Sequence, residues 1–253
     1  TSATDADIIL NNANAFTGPV ALNTTGSSGH ATVVDASGLN LAVSTVGGNL
    51  IATATTGNIS DSGNLTVTGT ATFITGASGS NIILDASGNA FSNAVTLQAD
   101  DGSEAFGNIT FVDSGAVKLH SSAGANGDLY INAATDAAVG GNLNITATTG
   151  NITQGRAVAV GGTSSFTTSA SGADITLNTT TNAFTGAVAL NTTGSRGDAT
   201  IDGGTTALDI AASAVSGFLS LTSDHESGIT DSGTVTVGYY LTAITGANNG
   251  VIN

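Results

Sequence analysis

The chain contains no cysteine, no methionine and no tryptophan in its 253 residues. Without cysteine it cannot form disulfides, zinc–thiolate sites or a thiol nucleophile. Basic residues are almost as scarce, because 3 Lys and Arg stand against 18 Asp and Glu, for a net charge of −15. A surface this acidic repels phosphate backbones and anionic lipids, so we expect no nucleic-acid partner.

Long apolar runs are missing as well. No run reaches the ~18 residues of a membrane-spanning helix, so we expect no membrane insertion. No signal peptide is recognisable from Thr1 onward, and we expect either a mature chain or a piece cut from a longer one.

What the chain does have is internal repetition. The segment Asn14–Ser27 reappears as Asn182–Ser195 with a single change, and a looser copy spans Asn89–Leu97. The landmarks Phe16, Phe91 and Phe184 are 75 and 93 residues apart. This spacing divides the chain into modules 1–74, 75–167 and 168–244, with the start of a fourth at 245–253. Repeats of this kind stack on one another, because a single repeat cannot bury its own apolar face.

Short segments such as Leu65–Val67 and Asn142–Thr146 alternate apolar residues with Thr, Asn or Ser, which is typical of strands with one buried face. Gly, Asn, Asp and Ser separate these segments, and no stretch shows a helical period. The second module is 18 residues longer than the first, which we interpret as one inserted rung. The sequence therefore predicts an all-β, parallel β-solenoid of ~13 rungs with roughly 18–19 residues each, in one continuous domain.

Five phenylalanines recur at the same phase of the modules. Because they return at fixed positions, we predict that they are buried and form a structural ladder in the core; they are Phe16, Phe91, Phe184, Phe73 and Phe166. Asparagines also recur at corners, where we expect hydrogen-bonded ladders. The 8 Asn-x-Ser/Thr sequons follow from composition and leave glycosylation open.

Two acidic clusters are candidate ligand sites. Asp100, Asp101 and Glu104 lie on a tight turn and are the best Ca²⁺ candidate, although they do not match an EF-hand loop. Our reading of this region is divergent turns, so we predict no metal and no cofactor. For the segment Asp224–Glu226 with Asp231 we expect an exposed turn.

Thr-x-Thr runs such as Thr66–Thr68 are similar to those of ice-binding solenoids, but they do not recur on every rung, and outward Thr is favoured by β-propensity alone. Enzymatic solenoids need convergent carboxylates, a catalytic Arg or Lys and aromatic sugar platforms. Aromatic residues make up 4% of this chain and its basic residues are scattered, so we predict that it is not an enzyme.

Several runs resemble the shaft repeats of filamentous-haemagglutinin-like exoproteins, which are large bacterial surface proteins exported by two-partner secretion. The resemblance covers essentially the whole chain and lies in Gly48–Ala54, Thr56–Ile59, Gly63–Gly69 and Gly141–Ala147. It implies a right-handed parallel β-helix shaft at an extracellular or cell-surface location. That family's secretion domain and its carbohydrate- or cell-binding regions have no visible counterpart here.

The hypothesis is a non-catalytic structural shaft of a bacterial extracellular adhesin or surface fibre. The alternative is a β-helix protein that binds or cleaves polysaccharide. Thr1–Ala3 matches Thr168–Ala170, and Thr245–Ala247 matches Thr75–Ala77, so the sequence starts and stops at one point of the module. We expect the chain itself to be the partner, through head-to-tail stacking of copies into filaments or continuation of a longer chain. Cell-surface glycans are a second candidate partner.

Overall fold

The structure is a computed structural model that describes residues 1–99, 107–119, 128–131, 137–247 and 250–253. All regular elements in these ranges are short strands, and the pairings between them are parallel. The first group comprises β1 (Ile8–Asn14), β2 (Ala31–Asp35), β3 (Leu39–Leu41), β4 (Ser44–Val46), β5 (Leu50–Ala54), β6 (Ile59–Asp61), β7 (Leu65–Val67), β8 (Ala71–Thr75), β9 (Ile82–Leu84), β10 (Ala90–Phe91), β11 (Val95–Gln98) and β12 (Ile109–Asp113).

The remaining strands are also short. They are β13 (Val117–Leu119), β14 (Asp128–Ile131), β15 (Ala137–Val139), β16 (Leu143–Ala147), β17 (Ile152–Gln154), β18 (Val158–Val160), β19 (Ser164–Ser171), β20 (Ile175–Leu177), β21 (Ala183–Phe184), β22 (Val188–Thr193), β23 (Ala199–Asp202), β24 (Leu208–Ile210), β25 (Ser213–Val215), β26 (Leu219–Ser223), β27 (Ile229–Asp231), β28 (Val235–Val237) and β29 (Leu241–Thr245). No helix of the described residues is long and apolar enough to cross a membrane.

The chain forms two compact units. Unit 1 comprises Thr1–Ser114 and Ala123–Ala134, and unit 2 comprises Gly115–Ser122 and Thr135–Asn253. In unit 1 the strands stack in the orders β1-β2-β5-β8-β11-β14, β3-β6-β9-β12 and β4-β7-β10. In unit 2 the orders are β13-β17-β20-β23-β26-β29, β15-β18-β21 and β16-β19-β22, and β22 is followed by β24 and β25.

Consecutive positions along each strand face alternately into the core and outward. In β2 the residues Ala31, Val33 and Asp35 are buried while the two between them are half-buried. The same alternation recurs in β5, β8, β16 and β26. Parallel stacking in register places inward Leu, Ile and Val of each rung on those of the next, which forms the core of each unit. The predicted class, an all-β parallel β-solenoid, is confirmed.

The predicted rung number was somewhat too high, and the predicted length holds only for the shortest rung, in which Ala31 pairs with Leu50, 19 residues later. The structure contains about 10 rungs rather than 13. In unit 1, Leu50 pairs with Ala71, 21 residues later. In unit 2, Ile175 pairs with Ala199, 24 residues later. The other rungs are longer than predicted because loops between strands, such as residues 76–81 between β8 and β9, add length without adding a strand.

Candidate functional site

The predicted phenylalanine ladder maps onto the core. Phe73, Phe91, Phe166 and Phe184 are buried, whereas Phe16 on the first rung is half-buried. The rings of Phe73 and Phe91 meet edge to face at 6.1 Å, and those of Phe166 and Phe184 meet the same way at 6.2 Å. The two pairs therefore occupy equivalent places in their units, and such pairs contribute ~0.5–1.5 kcal/mol beyond their burial.

The three landmark phenylalanines also share a backbone contact. The N–H groups of Phe16 and Phe91 donate to the carboxylates of Asp35 (3.0 Å) and Asp113 (3.4 Å), and the N–H of Phe184 donates to the Thr206 hydroxyl (3.2 Å). Burial disfavours the charged form of Asp35, but hydrogen bonds from Ser37 and Phe16 outweigh it and lower the pKa of Asp35. These buried oxygens are structural acceptors that hold one rung to the next.

The Ca²⁺ candidates Asp100, Asp101 and Glu104 lie outside the described residues. Further along the same module, Phe111 is buried and stacks on Phe91 with centroids 5.4 Å apart. Within the described part of the chain, no three His, Asp or Glu side chains are grouped as a metal site would need.

The second acidic cluster is a turn between β26 and β27. Asp224 and Glu226 are exposed, and Nδ1 of His225 accepts a hydrogen bond from the N–H of Ser227 at 3.0 Å. Asp231 lies in β27, on the following strand. The geometry is that of a turn stabilised by its own histidine, as expected.

One row of outward threonines is more regular than the sequence suggested. In unit 2, register places Thr153, Thr176, Thr200, Ser220 and Thr242 on consecutive rungs. The adjacent outward row runs through Asp202, Thr222 and Ile244 and is chemically mixed. A lattice-matching surface needs at least two regular rows, so this single row does not provide one.

A corner of the rung carries the predicted hydrogen-bonded ladder. The corner position is the residue immediately before each strand of the stack β1-β2-β5-β8, which is Asp7, His30, Asn49 and Thr70. Asp7 accepts from the N–H of His30 (2.8 Å), His30 Nδ1 from the N–H of Asn49 (2.9 Å), and Asn49 Oδ1 from the N–H of Thr70 (2.9 Å). Each corner side chain therefore satisfies a backbone donor one rung further on.

The glycines before two of these corner residues, Gly48 before Asn49 and Gly69 before Thr70, are explained by this ladder. A Cβ on Gly48 would lie 2.5 Å from Nδ1 of His30, and one on Gly69 would lie 2.4 Å from Oδ1 of Asn49. The adjacent rung's backbone is also within 2.8 Å in both cases. Glycine is required at these two positions because the corner side chain and the backbone of the neighbouring rung occupy the space.

In unit 2 the same corner begins as a polar ladder and ends as an aromatic one. Asn151 accepts from the N–H of Asp174 (2.9 Å), Asp174 from Asp198 (2.8 Å), and Asp198 from Phe218 (2.8 Å). Phe218 has no side-chain acceptor to offer, and the next corner residue is Tyr240. The polar series therefore stops at Phe218.

Three rings and one guanidinium form what we term the aromatic corner: Phe218, Tyr239, Tyr240 and Arg196. The Phe218 ring lies 5.5 Å from both tyrosine rings, at interplanar angles of 34° to Tyr239 and 25° to Tyr240. The Arg196 guanidinium lies 5.3 Å from the Tyr239 centroid, within cation–π range. A hydrogen bond to Tyr239 is the main cause that raises the pKa of Arg196, and electrostatic attraction to Tyr239 raises it further.

The aromatic corner remains open to solvent. Phe218 is 40% exposed, Tyr239 49% and Tyr240 71%. Ring pairs contribute ~0.5–1.5 kcal/mol, about as much as the corner hydrogen bond they replace. Arg196 adopts a left-handed backbone, φ 62°, which costs on the order of 1 kcal/mol for a non-glycine residue. Replacing the corner hydrogen bonds with stacked rings therefore brings no net gain in the free energy of folding.

The sequence analysis did not predict the aromatic corner. The signal was available as a departure from the repeat, since Phe218 and Tyr240 stand where the first module has Asn49 and Thr70. What was missing was the register, which brings residues about 20 positions apart into contact.

A family model for repeats of unknown function (DUF5649) matches residues 28–98, 115–191 and 196–252. The chain belongs to this family. Each of the three DUF5649 matches covers several stacked strands, and the third contains the whole aromatic corner. No curated protein and no solved structure matches the chain.

Proposed function

We propose that the protein is a non-catalytic structural segment of a bacterial extracellular adhesin shaft or surface fibre. The observation that supports this best is the continuity of bonding in each unit. Every rung is joined to the next by parallel strands, and the corner ladder adds a second line of bonds. Such stacking gives resistance to extension and bending, because each rung contacts only its neighbours and passes load to them.

The resemblance to filamentous-haemagglutinin-like exoproteins supports a cell-surface location. The Gly-Asn-Leu run at Gly48, Asn49 and Leu50 has a structural explanation in this chain. Gly48 leaves room for the corner acceptor of the neighbouring rung, and Leu50 packs in the core. Two-partner secretion and a surface location follow from the resemblance and remain part of the proposal.

We further propose that the end rungs are covered by another rung of the same pattern. On the last rung Leu241 is 54% exposed and Ile252 56%, and on the first Leu10, which pairs with buried Val33, is 37% exposed. Apolar surface and strand edges of this kind favour strand addition. The covering rung comes either from the continuation of a longer chain or from a second copy.

The test is made on cells that carry the protein at its native level. Antibodies raised against residues 1–253 should label intact cells, and electron microscopy of the labelled material should show fibres. Their mass per length should be roughly 2 kDa for every 4.8 Å, the value for one rung per strand spacing. Labelling confined to permeabilised cells, or compact particles in place of fibres, would contradict the shaft.

End-to-end stacking has a separate test. The 253-residue chain should form larger species in light scattering as its concentration rises. A charged residue at Ile252 (Ile252→Asp) should suppress this growth, whereas the same change at exposed Val43, which lies away from both end rungs, should not. A wild-type chain that stays monomeric at high concentration contradicts stacking between copies.

A further inference from the structure

The aromatic corner concentrates residues that are rare in this protein. The chain has 3 Tyr and 3 Lys plus Arg in total. Two of the tyrosines and one arginine meet at this corner, although Arg196 and Tyr240 are more than 40 positions apart in sequence. The corresponding corner of unit 1 has the chemistry of the ordinary repeat, with Asn49 and Thr70.

The fold does not require this concentration. The backbone hydrogen bond across the corner is the same in both units, because Leu50 donates to the Thr70 carbonyl and Leu219 donates to the Tyr240 carbonyl, each at 2.9 Å. Phe218 precedes a strand that is paired on both sides and its side chain is still 40% exposed, so this ring is not part of a core. The left-handed backbone of Arg196 belongs to the turn itself, because Asp5 has the same conformation two residues before its own corner, so what is particular here is the guanidinium over a tyrosine ring.

We propose that the aromatic corner is a binding site for a neutral polysaccharide. The C–H faces of a pyranose ring pack on exposed aromatic faces, and Tyr240, which stacks on Phe218 and is 71% exposed, is the ring with the most surface to offer. Arg196 and the two phenol groups supply donors for sugar hydroxyls at the rim of the rings. The net charge of −15 disfavours polyanions, including acidic glycans and nucleic acids.

This site goes beyond the proposed shaft, and the two ideas can fail separately. Binding is measured with purified protein, whereas the shaft is tested by labelling of cells. If the shaft is correct, the corner gives it a place to hold extracellular polysaccharide. If the shaft is wrong, the corner still predicts retention of the same ligands.

The decisive variant restores the ordinary repeat. Phe218→Asn, Tyr239→Gly and Tyr240→Thr together copy Asn49, Gly69 and Thr70 of unit 1, so the fold has a known precedent for them. Arg196→Ser copies Ser28 and removes the guanidinium together with its aliphatic stem, while the three rings stay in place. The control is Asn49→Ala, which alters the polar corner of unit 1 and leaves the aromatic corner intact. Melting curves establish that each variant is folded.

Binding is measured by affinity electrophoresis through gels containing neutral polysaccharides, namely hydroxyethyl cellulose, laminarin, xylan and galactomannan. Tyrosine fluorescence gives a second readout, because the chain has no Trp and two of its 3 Tyr lie at the site. We expect at least one polysaccharide to retard the wild type and the Asn49→Ala control, with at least tenfold weaker binding by the restored triple variant and several-fold weaker binding by Arg196→Ser.

Three results would overturn the proposal. The first is no retardation by any of the four polysaccharides. The second is equal retardation of the wild type and the restored triple variant. The third is concentration-dependent self-association of the wild type that the triple variant loses while no polysaccharide is bound, which would assign the corner to a second copy of the chain.

Discussion

Unit 1 and unit 2 build the same corner with opposite chemistry. In unit 1 the corner side chains accept backbone hydrogen bonds from rung to rung, whereas in unit 2 this series ends at Phe218 and stacked rings continue it. The strand pairing beside the corner is the same in both, since Leu50 pairs with Ala71 and Leu219 with Leu241. The register of a rung is therefore set by the core and the backbone, and the corner is free to acquire other roles.

The largest effect separates core aromatics from corner aromatics. Phe166→Ala should lower the free energy of unfolding by about 3–5 kcal/mol, because Phe166 is fully buried and leaves a cavity. Phe218→Ala should cost only about 1–2 kcal/mol, since it removes ring contacts at the surface. Urea unfolding of the two variants measures the difference. Equal losses would show that the aromatic corner belongs to the core.

A smaller effect tests the requirement for glycine in the polar corner. Gly69→Ala should lower the free energy of unfolding by about 1–3 kcal/mol, because its Cβ would lie 2.4 Å from Asn49 Oδ1 and 2.5 Å from the backbone of Gly48. Tyr239 occupies the corresponding place in unit 2 and already carries a Cβ, so Tyr239→Ala should introduce no clash. Thermal unfolding of both variants tests this, and a neutral Gly69→Ala would contradict the packing explanation.

The corner hydrogen bond itself should contribute about 1 kcal/mol. Asn49→Ala removes the acceptor for the N–H of Thr70, which then turns to water at an exposed site. Asn49→Asp keeps an acceptor of the kind that Asp198 provides in unit 2, and should be close to neutral. Denaturant midpoints distinguish the two variants. If Asn49→Asp were as unstable as Asn49→Ala, the hydrogen-bond acceptor at this corner would not be the source of the stability.

The smallest effect depends on pH. Asp61 in unit 1 accepts from Asn89 Nδ2 at 2.6 Å, where unit 2 has the neutral pair Gln154 and Asn182. Burial raises the pKa of Asp61, with a further rise from the charge of Asp85, despite opposing hydrogen bonds. The folded state therefore binds this proton more tightly than the unfolded state, and stability from Asp61 is lost as pH rises from about 3.8 through the raised pKa.

Asp61→Gln copies unit 2 and should remove that dependence. The wild type should gain stability relative to Asp61→Gln as the pH falls towards 4, measured as the difference between their urea midpoints. A constant difference between pH 4 and pH 7 would argue against a raised pKa at Asp61.

The sequence was sufficient for the fold class, because alternation in segments such as Leu65–Val67 and the recurrence of Phe73 and Phe166 reflect burial directly. It misjudged the rung length, since repeat spacing counts loop residues together with strand residues. The aromatic corner was not found because Arg196 and Tyr239 are distant in sequence and meet only through the register. Gly48 and Gly69 were read as family resemblance, although their cause is the neighbouring side chain one rung away.

The crowding between Gly69 and Asn49 also limits the order in which such a repeat can change. A Cβ at Gly69 would lie 2.4 Å from the amide oxygen of Asn49, so this glycine cannot be replaced while Asn49 keeps its place, whereas Ala173 is accommodated one rung after Asn151. Once the corner residue has lost its acceptor, as at Phe218, the later position is released and can accept a residue as large as Tyr239. Where the glycine and the corner acceptor crowd each other as Gly69 and Asn49 do, a new side chain therefore requires an ordered pair of substitutions, in which loss of the polar corner precedes gain of the side chain.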